Sequence, residues 1–277
     1  MNRIIYADNT NLNDLSVSLN DYYSGITPFN FDYANDALYF GTTLPFNHFY
    51  AEVTTANTTV SSTISMSHWD GDEWKDCVEV LDETSLNGYT FGQSGYITFT
   101  SSKNNSWNRD DTDQMTSSVL TTKTIYDLFW TKLEVSADMT AAIKWIGNIF
   151  SNDYDLRSEF PDLLRSEVLS TFQTGKTDWK EQHYIAANVI IKDLIAKKVM
   201  LDPNQVLAYE DLKSASVQKV AQIIFNALGD DYLDQYKLAE KEYYTRLDKA
   251  YVKIDYNQNA RVDTVEQRPT FLGMLYR

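Results

Sequence analysis

Thr59-Val60-Ser61-Ser62-Thr63-Ile64-Ser65-Met66-Ser67-His68-Trp69, then Asp70-Gly71-Asp72, then Glu73-Trp74-Lys75-Asp76-Cys77-Val78-Glu79-Val80, decides how the first half of this chain is read. Val60, Thr63, Ile64, Met66 and Trp69 recur nearer to a period of two than of 3.6, which is the repeat of a strand. Asp70-Gly71-Asp72 between two such runs predicts a hairpin turn, with Glu73 to Val80 as the returning strand. The same grammar extends from the start to about residue 137. Ala37-Leu38-Tyr39-Phe40 is one run, and His48-Phe49-Tyr50-Ala51-Glu52-Val53 is the next, entered through Leu44-Pro45-Phe46-Asn47. Further strands are expected at Gly95 to Thr100 and at Ile125 to Val135, with Tyr126, Leu128, Trp130 and Lys132 on one face. Short strands over an aromatic core predict a β-sandwich or jelly roll for residues 1–137, with the Ser/Asn-rich stretch 101–113 as a long surface loop.

Past residue 137 the pattern becomes helical. Asp178 to Lys198 has a capping-box spacing at Asp178 and Glu181 and an apolar stripe of Ile185, Val189, Ile190 and Leu194. A second helix is expected from Pro203 or Asn204 to Leu228, ending at Gly229, where a left-handed cap is cheapest. A third runs from Tyr232 to about Lys253, and a shorter one follows Phe160-Pro161-Asp162. The fold class is therefore α+β with two domains: a sandwich over 1–137, a helical bundle over 138–254, and a loop with a carboxy-terminal arm over 255–277.

Composition narrows the function classes. The 277 residues are 43% hydrophobic, enough for a sizeable core, and 39 acidic against 24 basic side chains leave a net charge of −15. An electrostatic grip on nucleic acid, which needs clustered Lys and Arg, is disfavoured. One cysteine, Cys77, forms no intrachain disulfide, and with only His48, His68 and His183 there is no Cys/His set for structural zinc. The segment Met1 to Asn9 lacks the apolar core of a secretory signal, and no apolar run is long enough to span a bilayer, so use without membrane insertion is expected.

The sharpest local signal is Asp255-Tyr256-Asn257-Gln258-Asn259-Ala260-Arg261-Val262-Asp263-Thr264-Val265-Glu266. Oxygen donors at positions one, three, five, nine and twelve are the pattern of an EF-hand-like loop around a hard cation. Asp255, Asn257, Asn259, Asp263 and Glu266 would coordinate by side chain and Arg261 by its carbonyl, with Ca2+ in a structural role. Ala260 stands where glycine normally makes the turn, at a cost of about 1 kcal/mol in the left-handed region. Pro269 follows closely and there is no second loop. A metal-free Asx-turn loop of the same shape is the other reading.

The remaining motifs weigh less. Gly175-Lys176-Thr177 lacks the upstream glycine and strand of a phosphate loop and reads as a helix-capping loop. Trp69 and Trp74 flank the hairpin turn and could stack on a sugar ring, although core packing is the usual fate of a strand tryptophan. His183 reads as a partly exposed helix residue, and Ser, His and acid residues show no nucleophile-elbow context, so action by assembly and not by catalysis is expected.

The order of the second half carries a resemblance: Phe160-Pro161-Asp162-Leu163, Trp179 to Lys198, Tyr209-Glu210-Asp211-Leu212-Lys213-Ser214-Ala215-Ser216-Val217, then Ala227-Leu228-Gly229-Asp230-Asp231 and a Tyr/Glu-rich helix. Over residues 138–277 it resembles the head-to-tail adaptor, or neck connector, proteins of tailed bacteriophages. The resemblance implies a virion protein made in the host cytoplasm. It further implies a ring, most often of twelve copies, between the portal protein and the next neck or tail protein, with double-stranded DNA passing through the lumen without specific binding. In such proteins a carboxy-terminal arm reaches into the portal. The matching residues here are Pro269, Phe271, Leu272, Met274, Leu275 and Tyr276, whose apolarity suits a groove between subunits; folding back on its own bundle is the alternative. A different class, a carbohydrate-binding module fused to a helical oligomerisation domain in a fibre or surface adhesin, would be favoured by exposed Trp69, Trp74 or Trp107. A host-side structural protein with a dockerin-like calcium segment is a third reading, weakened by the single loop.

Overall fold

A computed structural model describes residues 1–102, 107–261 and the backbone of 267–269. The chain divides into two units, Met1–Gly147 with Asn257–Arg261, and Asn148–Tyr256 with the short strand at 267–269. The first is antiparallel sheet and the second mainly helix, so the α+β class holds.

The strands of the first unit are β1 (Arg3–Asp8), β2 (Asn11–Asp14), β3 (Thr27–Phe31), β4 (Ala37–Thr42), β5 (His48–Thr55), β6 (Ile64–Trp69), β7 (Trp74–Asp76), β8 (Val78–Asp82), β9 (Gly95–Thr100), β10 (Arg109–Asp110), β11 (Leu128–Val135) and β12 (Met139–Gly147), with one short helix, α1 (Ser16–Asn20). One sheet runs β2-β1-β4-β11-β6-β7, with β10 also on β11; the other runs β3-β12-β5-β9-β8. Their inner faces share a core that includes Ile4, Phe40, Phe49, Phe31, Ile97 and Leu133. Alternation along β1 sends Ile4 and Tyr6 into that core, while Ile5 and Ala7 join a second cluster with Tyr39, Trp69 and Trp130.

The stretch 101–113, read as a long surface loop, is partly buried, at Trp107 and Thr112, and the residues that follow it complete the second cluster. Met115 and Leu120 are fully buried against the outer face of the first sheet, and Trp107 sits in the inner core with its indole N–H donating to the carbonyl of Trp130 at 3.2 Å. A sheet buried on both faces needs a cover, and the segment after β9 supplies it. Gly41 in β4 makes room beneath: a Cβ there would stand 2.8 Å from Leu128 and 2.9 Å from Trp130. Substitution would force a close-packed region apart.

Two further sequence expectations change. The returning strand Glu73 to Val80 is two strands in different sheets: β7 pairs with β6, whereas β8 pairs with β9. The crossing falls at Cys77, whose N–H donates to the carbonyl of Met66 at 2.8 Å and whose side chain enters the core. Glu79 then takes a left-handed φ of 54°, where the β8 register slips. The boundary at 137 also moves, because β12 pairs with both β3 and β5 and is a central strand of the second sheet. Its small residues Ala141 and Ala142 blur the strand periodicity.

The second unit contains α2 (Asp153–Glu159), α3 (Ser166–Phe172), α4 (Lys180–Ala196), α5 (Lys213–Leu228) and α6 (Leu233–Lys249), then β13 (Tyr251–Lys253) and β14 (Gln267–Pro269). Trp179, Leu156, Val220, Ile224 and Phe225 form much of its core, and the Trp179 indole donates to the carbonyl of Leu163 at 2.9 Å. Gly229 closes α5 at φ 92°, as its position implies. The capping box read at Asp178 and Glu181 does not form. Trp179 precedes α4, and its N–H donates instead to both carboxylate oxygens of Asp153 at 3.2 Å. The second long helix starts at Lys213, not near 203. Pro203–Gln205 and Tyr209–Leu212 are single 3-10 turns, between which the N–H of Leu207 donates to the carbonyl of Lys253 at 2.9 Å. Ladder pairing at Tyr251 likewise ends α6 four residues before the expected Lys253.

Candidate functional site

The described part of the metal-like loop is held by protein groups. Asp255 is buried; its N–H donates to the carbonyl of Gln205 at 2.8 Å and its carbonyl accepts from the Gln205 side-chain amide at 3.0 Å. Tyr256 donates through its hydroxyl to the carbonyl of Val199 at 2.7 Å. Asn257–Arg261 belongs to the sandwich unit. Ala260 takes the left-handed conformation anticipated for its position, φ 54°, and Gln258 does the same at 60°. The Ala260 methyl packs into the sandwich core, which offsets the backbone cost. The Asn259 side-chain oxygen accepts from the N–H of Arg261 at 2.7 Å, closing an Asx turn, and its carbonyl accepts from the Ser101 hydroxyl at 2.9 Å. The Arg261 guanidinium donates to the hydroxyl and carbonyl of Ser101 and to the carbonyl of Ser102. Asp263 and Glu266, the remaining expected ligands, lie outside the described residues.

Of the arm, Pro269 is described only as backbone: β14 pairs antiparallel with β13, Tyr251 facing Pro269 and Lys253 facing Gln267. Phe271, Leu272, Met274, Leu275 and Tyr276 lie outside the described residues. The tryptophans read as possible sugar platforms are not exposed. Trp69 and Trp107 are 1% and 7% accessible, and half-buried Trp74 packs against Tyr39 and Trp69. Lys176 of the Gly175-Lys176-Thr177 turn lies over the rings of Phe172 and Trp179, a cation–π anchor for the loop before α4.

A cluster that the sequence does not announce joins Ser151, Asp153, His183 and Ser216. His183 is 1% accessible, not a partly exposed face residue. Its Nδ1 is 2.8 Å from the Ser151 hydroxyl, its Nε2 is 3.2 Å from the Asp153 carboxylate, and Ser151 also meets the Ser216 hydroxyl at 2.7 Å. The residue types are those of a hydrolytic triad, but the buried serine already shares its hydroxyl twice, and Asp153 also accepts the Trp179 N–H. The cluster joins the starts of α2 and α4 to α5. Positions 151, 153, 183 and 216 share no sequence spacing, so only the fold could find them.

Charge is unevenly spread: residues 1–147 hold 19 of the 39 acidic but only 7 of the 24 basic side chains. In that unit, burial opposes ionisation of Asp14, but the hydroxyl and amide of Ser16, with Arg3 and Lys123, outweigh it and hold the carboxyl below its usual range. Burial alone pushes the His48 imidazole down to about 4. Burial, reinforced by Asp76, pushes the Cys77 thiol up to about 12 and keeps it protonated at neutral pH. In the helical unit, burial and the Asp193 carboxylate, which accepts a hydrogen bond from its hydroxyl at 2.5 Å, raise the Tyr243 phenol far above its ordinary range.

No protein-family model, curated protein or solved structure matches the chain. Among the described residues no helix is long and apolar enough to cross a membrane.

Proposed function

We propose that the chain is a structural component of a tailed-virus neck, a ring-forming adaptor that docks on the portal protein, carries the next neck or tail protein, and acts by assembly. The observation that carries this reading is the β13–β14 ladder. It follows the last helix directly and fixes the point from which the apolar segment Phe271-Leu272-Gly273-Met274-Leu275-Tyr276 sets out. An apolar segment of this composition is suited to a groove on another protein. The acidity of the chain is compatible with a conduit that passes DNA without gripping it, since each Lys or Arg contact to phosphate adds affinity. A Ca2+ ion, the cation that oxygen donors of this type take, would brace the loop from Asp255 to Glu266 that precedes the arm.

The test is co-purification of tagged protein with the portal, comparing the whole chain with one ending at Pro269 so that the ladder is kept. Portal capture by the whole chain in near-equal copies, lost on truncation, is the expected result. Capture that survives truncation removes the arm from the mechanism, and absence of portal with the whole chain overturns the reading. The second reading, a carbohydrate-binding module joined to a helical oligomerisation domain in a fibre or adhesin, loses its tryptophan platforms. It keeps the exposed tyrosines of the sandwich unit in its favour, Tyr126 among them with Tyr23 and Tyr33.

A further inference from the structure

Asn2, Arg3, Thr124, Ile125, Tyr126 and Leu128 line an open groove of about 410 Å³ on the sandwich unit, within the size range of small-ligand sites. Its walls are fixed by the backbone. Asn2 donates its N–H to the carbonyl of Gly41 at 3.1 Å, and its side-chain oxygen accepts from the N–H of Thr43 at 3.3 Å. Across the groove, buried Thr112 holds Ile125 from both sides: its N–H donates to the Ile125 carbonyl at 2.9 Å and its hydroxyl accepts from the Ile125 N–H at 3.0 Å. The N–H of Asp127 donates to the Asp111 carboxylate at 2.8 Å. Tyr126 stands between these two pinned neighbours with its side chain 64% exposed. An exposed aromatic on a rigid backbone meets a ligand at little ordering cost.

Three of the unit's seven basic side chains gather at or near this rim, two of them paired with carboxylates, Arg3 with Asp14 and Arg109 with Asp127. Of the seven basic side chains in residues 1–147, Arg3 lines the groove, Lys123 adjoins Thr124 and acts on the nearby Asp14, and Arg109 pairs with Asp127 at 3.0 Å and reaches the carbonyl of Thr43. Arg3 meets Asp14 at 3.3 Å through one nitrogen, with both side chains nearly half exposed. Such a pair contributes little and is readily exchanged for another carboxylate, to which a guanidinium offers a planar fork. A stacking face and a cation lining one groove match a ring that is apolar on one face and negatively charged at one edge.

We propose that this groove binds a saccharide unit carrying a carboxylate, its ring against Tyr126 and its carboxylate at Arg3. The inference concerns the sandwich unit alone and holds for a neck protein or an adhesin alike. Saturation-transfer NMR on the full chain tests it with glucuronate, glucose and acetate as probes. Glucuronate should receive saturation from the protein and glucose much less. Tyr126→Ala should weaken glucuronate binding about tenfold through the lost stacking face. Arg3→Ala should weaken it by about the same factor through the lost charge-assisted bonds. Arg3→Lys, which keeps the cation and loses the fork, serves if Arg3→Ala loosens β1, and circular dichroism checks that each variant is folded. Absence of a glucuronate signal, a signal that survives both substitutions, equal transfer to glucose, or complete displacement by equimolar acetate would each overturn the proposal.

Discussion

Arg261 and Ser101, 160 positions apart in sequence, are joined by two hydrogen bonds, from Nε to the serine hydroxyl at 3.2 Å and from Nη2 to its carbonyl at 3.0 Å. The late loop is thereby tied to the strand-rich unit made at the start of the chain. Arg261→Ala should destabilise that unit by about 1–3 kcal/mol, the range for charged hydrogen bonds lost from a partly buried site. Urea unfolding followed by tryptophan fluorescence reads the change. An unaltered midpoint would mean that Ala260 and Asn259 hold the loop unaided.

Calcium is the second test of this loop. Calorimetry should give heat of binding with the wild-type chain and none with Glu266→Ala, the change that removes the position-twelve carboxylate. Silence from the wild type at millimolar ion would leave the Asx turn at Asn259 as the whole of the loop's architecture.

His48 makes stability depend on pH in a defined window. Its folded value of about 4 lies below the ordinary 6.5. Above pH 6.5 the ring is neutral folded or unfolded, and nothing is lost. Between 6.5 and 4 the unfolded chain binds a proton that the folded chain refuses, so stability falls as pH falls, by about 3 kcal/mol at the lower end. The difference in unfolding free energy between wild type and His48→Gln, followed from pH 7.5 to 4, should show this slope. Parallel curves would place the acid response elsewhere.

The cluster around His183 should behave as a structural tie. His183→Ala leaves Ser151 and Asp153 without the ring between them and opens a small cavity, at a cost of about 2–4 kcal/mol. The melt of the helical signal should shift to lower temperature. An unchanged melt would show that the imidazole adds nothing to the packing of α4 on α5.

Elements whose signal is local were legible. The β6 strand, its Asp-Gly-Asp turn and the Gly229 stop lie near where the pattern puts them, because periodicity and turn chemistry are properties of neighbouring residues. The α4 stripe is only half right: Ile190 and Leu194 are buried, but Ile185 and Val189 are half-buried while Gln182, His183, Ala186 and Ala187 face inward. The strand at Arg3–Asp8 and its two-residue turn at Asn9-Thr10 carry such a signal too, in Ile4-Ile5-Tyr6-Ala7 followed by Asn. The start of α4 is less legible, because Asp178 accepts the N–H of Lys180 at 3.3 Å while the Trp179 N–H goes to Asp153, 26 positions away.

By itself the sequence determined the fold class, the change from strand to helix grammar and the strong acidity of the chain. Those follow from short-range sterics, side-chain spacing and charge count. Tertiary structure decided which sheet each half of the 73–80 run joins, which residues cover the outer face of the first sheet, and that Trp69 and Trp107 lie inside while Tyr126 lies outside. Burial of that kind depends on what packs across from a residue, and residues such as Thr112 and Ile125, or Ser101 and Arg261, meet only once the chain has folded.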